Sequence, residues 1–247
     1  MLGILSRKLA VLVAILILVA VIAGSFLAEL SIINGASIVA AFVADFLRYS
    51  LALLLLLVIA SSVAEDYEFR QFERLLTMPL ARWQYVAAES MVIAFLSLVL
   101  ATVVLVVVTF YSDFATGLFW AVSLWMEFLL VGLLGFLAIL SLEKVPLAVF
   151  FAIAVYLLAK LSGLISVIVA ESVRLSDGSV TSRTVEMIFS SLLYIFPDTD
   201  SFAQNDVFFH SIDVSTALMN QGSSVLIYGS FLIAVCLIEF YRKEFNL

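Results

Sequence analysis

The sequence predicts an all-α polytopic membrane protein with six transmembrane helices, and three observations predict it. The chain has 247 residues, of which 65% are hydrophobic and 13% charged. A soluble domain of this size cannot hide that much apolar surface. The apolar residues fall in runs of about 20, the number that spans a hydrocarbon layer of ~30 Å. Lys and Arg favour alternate connections, as the positive-inside rule requires. A membrane barrel would show short alternating segments instead, and these are absent. The chain therefore reads as one transmembrane domain over 1–247, with no separate soluble domain.

Arg7 and Lys8 precede the first span, about 9–27, and put the N-terminus in the cytoplasm. The run after Lys8 superficially resembles a signal peptide, but it is too long for a typical signal core and reads as a retained span. Asn34-Gly35 marks a turn. Residues 38–45 read as a short helical lead-in at the outer interface. Span two follows over about 46–64, with Asp45 and Arg48 at its outer end. A polar stretch, 65–85, returns the chain to the cytoplasmic side. Span three covers about 86–110, with Trp83 and Tyr85 as interfacial anchors at its inner end.

Tyr111-Ser112-Asp113 lies outside, and span four covers about 118–140. Ser141 to Pro146 is a tight inner turn before span five, about 147–169. Residues 170–222 form an extracytoplasmic segment. It contains seven acids, and Val185, Ile188, Phe189, Leu192, Leu193 and Phe196 mark an amphipathic helix. That helix either lies along the interface or dips in and returns. Span six, about 223–240, ends at a cytoplasmic basic cluster, Arg242-Lys243. Eight of the 12 Lys and Arg fall on inner segments, and ten of the 19 acids fall outside. That asymmetry requires an even number of spans, with both termini cytoplasmic.

The stretch 65–85 carries seven charged side chains between two long apolar runs. Phe69, Phe72, Leu75 and Leu76 recur at helical spacing with charges on the opposite face. Pro79 stops this helix, because its ring cannot continue the hydrogen-bond ladder. The plain reading is a solvated loop. The sharper one is a surface helix that docks into a partner.

The run Glu73-Arg74-Leu75-Leu76-Thr77-Met78-Pro79-Leu80-Ala81-Arg82-Trp83-Gln84-Tyr85, preceded by Asp66 and Glu68, resembles the coupling-helix region of type-2 permeases of ATP-binding-cassette (ABC) transporters. The family usually has Gly-Thr a few residues before the glutamate, where this chain has Arg70-Gln71. The resemblance implies a permease subunit that works as a dimer, either two copies or two related chains, with two cytoplasmic ABC ATPase subunits. Such subunits most often export. A helix over 68–76 would then sit in a groove of the ATPase. Phe69, Phe72, Leu75 and Leu76 would be its apolar anchors. Glu68, Glu73, Arg74 and Arg82 would set register through charged contacts, and Pro79 would end the helix. The resemblance further implies short outer helices before span six that close the path on the far side.

No glycine is followed by lysine, so a phosphate-binding loop is absent. The expectation is a non-enzymatic chain without cofactor or metal of its own, ATP and magnesium being held by the partner ATPase. The other partners expected are membrane lipid and a second permease, and the location is the inner (cytoplasmic) membrane. The net charge of −7 argues against nucleic acid. The competing reading is a membrane scaffold or assembly factor that binds a cytoplasmic partner through the 65–85 helix.

Two charges interrupt apolar spans: Glu127 in span four and Lys160 in span five. Both fall ~13 Å below the outer end, near the midplane. An unpaired charge there costs ~3 kcal/mol or more, so the two are expected to pair or to face a polar cavity. The pair is either a structural bridge that fixes helix register or part of a substrate path. Gly132, Gly135 and Gly163 suit close helix approach. Cys236 is a lone cysteine in an apolar run, and His210 is the only histidine, which excludes a histidine-rich metal site.

Overall fold

The computed structural model describes residues 2–30, 35–68, 82–142, 144–175, 202, 205–209 and 214–242. Six long helices account for nearly all of them: α1 (Leu2–Leu30), α2 (Gly35–Glu68), α3 (Arg82–Val108), α4 (Phe114–Leu142), α5 (Val145–Leu175) and α6 (Val214–Arg242). A short 3₁₀ turn, Asn205–Phe208, precedes α6, and no strand occurs among the described residues. The chain is thus an all-helical polytopic membrane protein. Five helices, α1 to α4 and α6, are long and apolar enough to cross a bilayer. The described apolar part of α5, Val145–Leu161, is shorter.

The helices start and stop where sequence chemistry allows, often beyond the expected spans. The lead-in at 38–45 and span two are one continuous helix, α2. Ala36, Ala40, Ala41 and Ala44 are strong helix formers, and no breaker separates them from Phe46. The last helix likewise begins at Val214 rather than near 223. The polar run Asn220 to Ser224 lowers hydropathy without breaking the helix. Ser223 and Ser224 donate to the Asn220 carbonyl at 2.8 and 3.1 Å, and Gln221 is buried. Lipid-facing hydroxyls elsewhere are satisfied the same way. Thr102 donates to the Leu98 carbonyl at 2.8 Å, leaving no bare donor toward hydrocarbon.

α4 is the centre of the bundle. It packs against α2, α3, α5, α6 and the 3₁₀ turn. Its apolar stretch is 67% buried, against 17% for α1 and α6, which places those two at the periphery. α1 packs mainly on α2. Two glycines bring α4 close to its neighbours. A Cβ on Gly132 would lie 2.5 Å from Ile93 Cγ2 and 3.1 Å from Ile59 Cδ1; one on Gly135 would lie 2.8 Å from Leu56 Cδ2. Such contacts require a bare hydrogen at those positions. Trp125 of α4 then donates its indole N–H to the Ala94 carbonyl of α3 at 3.2 Å.

Ring contacts fix the relative direction of the helices. At one end Tyr85, at the start of α3, stacks on Phe240 near the end of α6, with centroids 5.2 Å apart. It also lies 6.4 Å from Phe136 of α4. Ser141 at the end of α4 donates to Glu239 of α6 at 3.4 Å. α4 and α6 therefore run parallel, and α3 runs against both. Of the two expected interfacial anchors, Tyr85 packs its ring on α4 and α6, whereas Trp83 is 53% exposed. At the opposite end Trp120 packs against Phe208 of the 3₁₀ turn, 6.2 Å between centroids. The tight turn between α4 and α5 is closed by the Lys144 amide on the Leu142 carbonyl at 2.7 Å.

Candidate functional site

Among the described residues, the buried charges lie together. Glu127 sits halfway along α4, and its side chain is 0% exposed. A carboxylate buried at that depth needs donors, and three side chains from two other helices supply them. Oε2 accepts from Arg48 of α2, through Nε at 2.7 Å and Nη2 at 2.7 Å. Oε1 accepts from the Tyr156 hydroxyl of α5 at 2.7 Å and faces Lys160 Nζ of α5 at 3.2 Å. Arg48 and Lys160 are 5% and 9% exposed, so the ion pairs lie away from solvent and lipid.

The network extends toward one end of the bundle. Arg48 Nη2 also donates to the Phe202 carbonyl at 2.5 Å. Arg48 Nη1 lies 3.8 Å from Asp45 Oδ1, one turn away on α2. Asp45 in turn accepts from the Asn205 side-chain amide. Arg48 and Lys160 offset Asp45 and Glu127, so the formal charge of the four is zero. That balance, with each carboxylate hydrogen-bonded, is what makes burial of Arg48, Glu127 and Lys160 beside the part-exposed Asp45 tolerable. α2, α4 and α5 are thereby locked in register at mid-depth.

Phe202 and the 3₁₀ turn Asn205–Phe208 both lie against this network. Phe202 is 0% exposed, and Val207 and Phe208 pack against the hydrophobic core. Beside the 3₁₀ turn opens a cleft of about 360 Å³, lined by Ser37, Tyr111, Asp113, Thr116, Val207 and Phe208 among others. Its polar lining faces the end of the bundle. Non-helical backbone survives at membrane depth only where protein or water satisfies it. Here Arg48 takes the Phe202 carbonyl, and Asp45 holds Asn205.

Glu127 and Lys160 are brought together, within ion-pairing distance. Arg48, expected at the outer end of span two, is instead inside the bundle, because α2 starts eleven residues before the predicted span and carries Arg48 deeper. Sequence reading missed Tyr156 and the Phe202 carbonyl as well. The position of Arg48 just inside an apolar run was a usable signal. A tyrosine in an apolar helix and a backbone oxygen carry none. Gly132 and Gly135 lie at close helix contacts, and Cys236 is buried among core residues.

Of the coupling residues, Phe69, Phe72, Glu73, Arg74, Leu75, Leu76 and Pro79 lie outside the described residues. So do His210 and the amphipathic stretch 185–196. Glu68 ends α2 and Arg82 begins α3, and their side chains, like the surroundings of Gly163, lie outside the description too. Among the described residues no group of three His, Cys, Asp or Glu is placed to hold a metal ion. Compared with known proteins, the chain matches no family model and no curated sequence.

Proposed function

We propose that this chain is the membrane subunit of an ATP-driven transporter similar to type-2 ABC permeases, acting in export and driven by a separate cytoplasmic ATPase. The observation that supports the reading is the packing of Tyr85, the last residue of the 65–85 motif. The motif joins the end of α2 to the start of α3, and Tyr85 stacks on Phe240 of α6 and lies against Phe136 of α4. A push delivered to Tyr85 would reach the central helix and the last helix through packed rings. Alternation of access then follows as rigid-body rocking of helices about a bundle core.

Six crossings fit this layout. α4 and α6 run in the same direction, so the chain between them must travel back. α5 is the helix that does so, pairing Lys160 and Tyr156 with the middle of α4. The basic ends then share one face with the motif, the face assigned to the cytoplasm by the charge bias. In this reading, the translocation path forms between two permease copies.

Purification of the tagged chain from its native membrane in mild detergent tests the proposal. The expected result is a co-purifying ABC ATPase whose recovery falls at least tenfold when Phe69, Phe72, Leu75 and Leu76 are replaced by alanine. Loss of that many apolar anchors removes the centre of the interface. A stable native complex that contains no ATPase overturns the transporter reading and favours the scaffold.

A further inference from the structure

α6 lies at the edge of the bundle, and its two sides differ in kind. Gln221, Gly229, Cys236 and Phe240 are buried, on the side that packs against α4 and α3. On the opposite side Thr216, Asn220, Ser223, Ile227, Ser230 and Ala234 are all exposed. At about 100° per residue these six fall within a stripe about 80° wide. They are spaced by four and three residues in alternation, which is the repeat of a coiled-coil seam. We infer that a second copy of this chain packs on this stripe, α6 against α6, with Asn220 hydrogen-bonded to the partner's Asn220 across a two-fold axis. The inference deepens the transporter reading, which calls for a second permease, and names the helix that meets it.

A helix face that meets only lipid is most apolar at its centre. α1 has that character. Like α6 it is 17% buried over its apolar stretch, and no polar side chain occurs from Leu9 to Gly24. α6 reverses the pattern. Its bulky exposed side chains, Met219, Leu226 and Phe231, flank the stripe, while the stripe itself is small or polar except at Ile227. Small side chains let two helix backbones approach closely. Ser223 and Ser230 return their hydroxyls to the Asn220 and Ile227 carbonyls of their own helix, at 2.8 and 2.9 Å, and so fit a dry contact.

Asn220 identifies the occupant. Counting back along the parallel helices from the Ser141–Glu239 contact puts it level with about Val122, one turn inside the apolar run of α4. A primary amide carries two donors and an acceptor, and lipid tails offer it no partner. An amide is its own complement: Nδ2 of one copy meets Oδ1 of the other, and the reverse. A two-fold axis along the membrane normal supplies that arrangement. Copies inserted in the same orientation run their α6 helices in parallel, and a single asparagine in such a seam sets register and partner number.

Disulfide crosslinking of the full chain in its native membrane tests the contact. With Cys236→Ala the chain has no thiol. In that background Ser223→Cys and Ser230→Cys, on the stripe, are expected to oxidise to a product of twice the chain mass. Leu226→Cys on the flank and Leu18→Cys on α1, both at exposed positions, are expected to give at least tenfold less. Asn220→Leu suits lipid better than asparagine and leaves the buried side of α6 untouched. Added to Ser230→Cys, it is expected to slow crosslinking about tenfold, the effect of losing an interhelical polar contact. Equal yields at stripe and control positions overturn the inference, as does the absence of a dimer at the stripe. A product of any other mass also overturns it, because another protein then covers α6, and so does an Asn220→Leu chain that crosslinks undiminished. Recovery of the ATPase is read separately: stripe crosslinks without an ATPase leave this contact standing and remove the transporter, and an ATPase without stripe crosslinks does the reverse.

Discussion

Glu127 divides its two oxygens between two helices: Oε2 belongs to Arg48 of α2, and Oε1 to Tyr156 and Lys160 of α5. The partners are not equivalent. Removing Arg48 strands half of the buried carboxylate and the Phe202 carbonyl. Arg48→Ala is expected to destabilise the bundle by about 3–5 kcal/mol, the range for breaking a buried ion pair from one side. Tyr156→Phe removes one donor while Lys160 still covers Oε1, so a loss of about 1 kcal/mol is expected, near the ceiling for single polar contacts in membranes. Denaturation of the purified variants in detergent measures both, and the order matters more than the size. An equal loss for the two would mean that Arg48 is not the main partner. Glu127 and Lys160 were legible in the sequence because charge inside an apolar run is rare and costly. Arg48 was misplaced for the opposite reason, since it stands where hydropathy begins to rise and reads as a span boundary.

At the scale of elements, the bundle depends on how closely α4 can approach α2 and α3. Gly132 and Gly135 both face neighbours at less than a normal Cβ contact, but the neighbours differ in how far they can yield. Gly132 meets Ile93 Cγ2, a methyl fixed directly on a β-branched carbon, and Gly135 meets Leu56 Cδ2, the far end of a rotatable side chain. Gly132→Ala therefore forces α3 away from α4 and is expected to cost about 1–3 kcal/mol, as overpacked cores do. Gly135→Ala asks only for a Leu56 rotation and is expected to cost well under half of that. Thermal unfolding of the two single variants distinguishes them. Glycine in an apolar span signalled close approach, but which glycine is critical depends on the facing atom, and sequence does not contain that. Helix existence was similarly legible and helix extent was not. Hydropathy marks where lipid begins, whereas Gly35 to Asp45 and Val214 to Gly222 stay helical on propensity and on buried polar contacts.

At the scale of the whole molecule, the proposal of six crossings rests on which helix ends meet. Tyr85, Phe136 and Phe240 gather at one end, and Trp120 and Phe208 at the other. In the proposed layout the chain returns from the end of α4 to the start of a parallel α6 through α5, of which Val145–Leu161 is the described apolar part. Exposed positions at the helix ends test the parity directly. Cys236 is the single cysteine and is buried, so Cys236→Ala provides a background free of thiols. In that background Asp113→Cys and Val214→Cys are expected to react with a membrane-impermeant maleimide added to intact cells. Lys144→Cys and Tyr241→Cys are expected to react only after the membrane is opened. Lys144 and Tyr241 bracket α5 and α6, so a shared face for these two, with Val214 opposite, requires both helices to cross. Reaction of Val214→Cys from the same side as Lys144→Cys would remove α5 from the membrane-spanning set. It would also place the end of α6 on the face away from the 65–85 motif, which the stacking of Tyr85 on Phe240 does not permit.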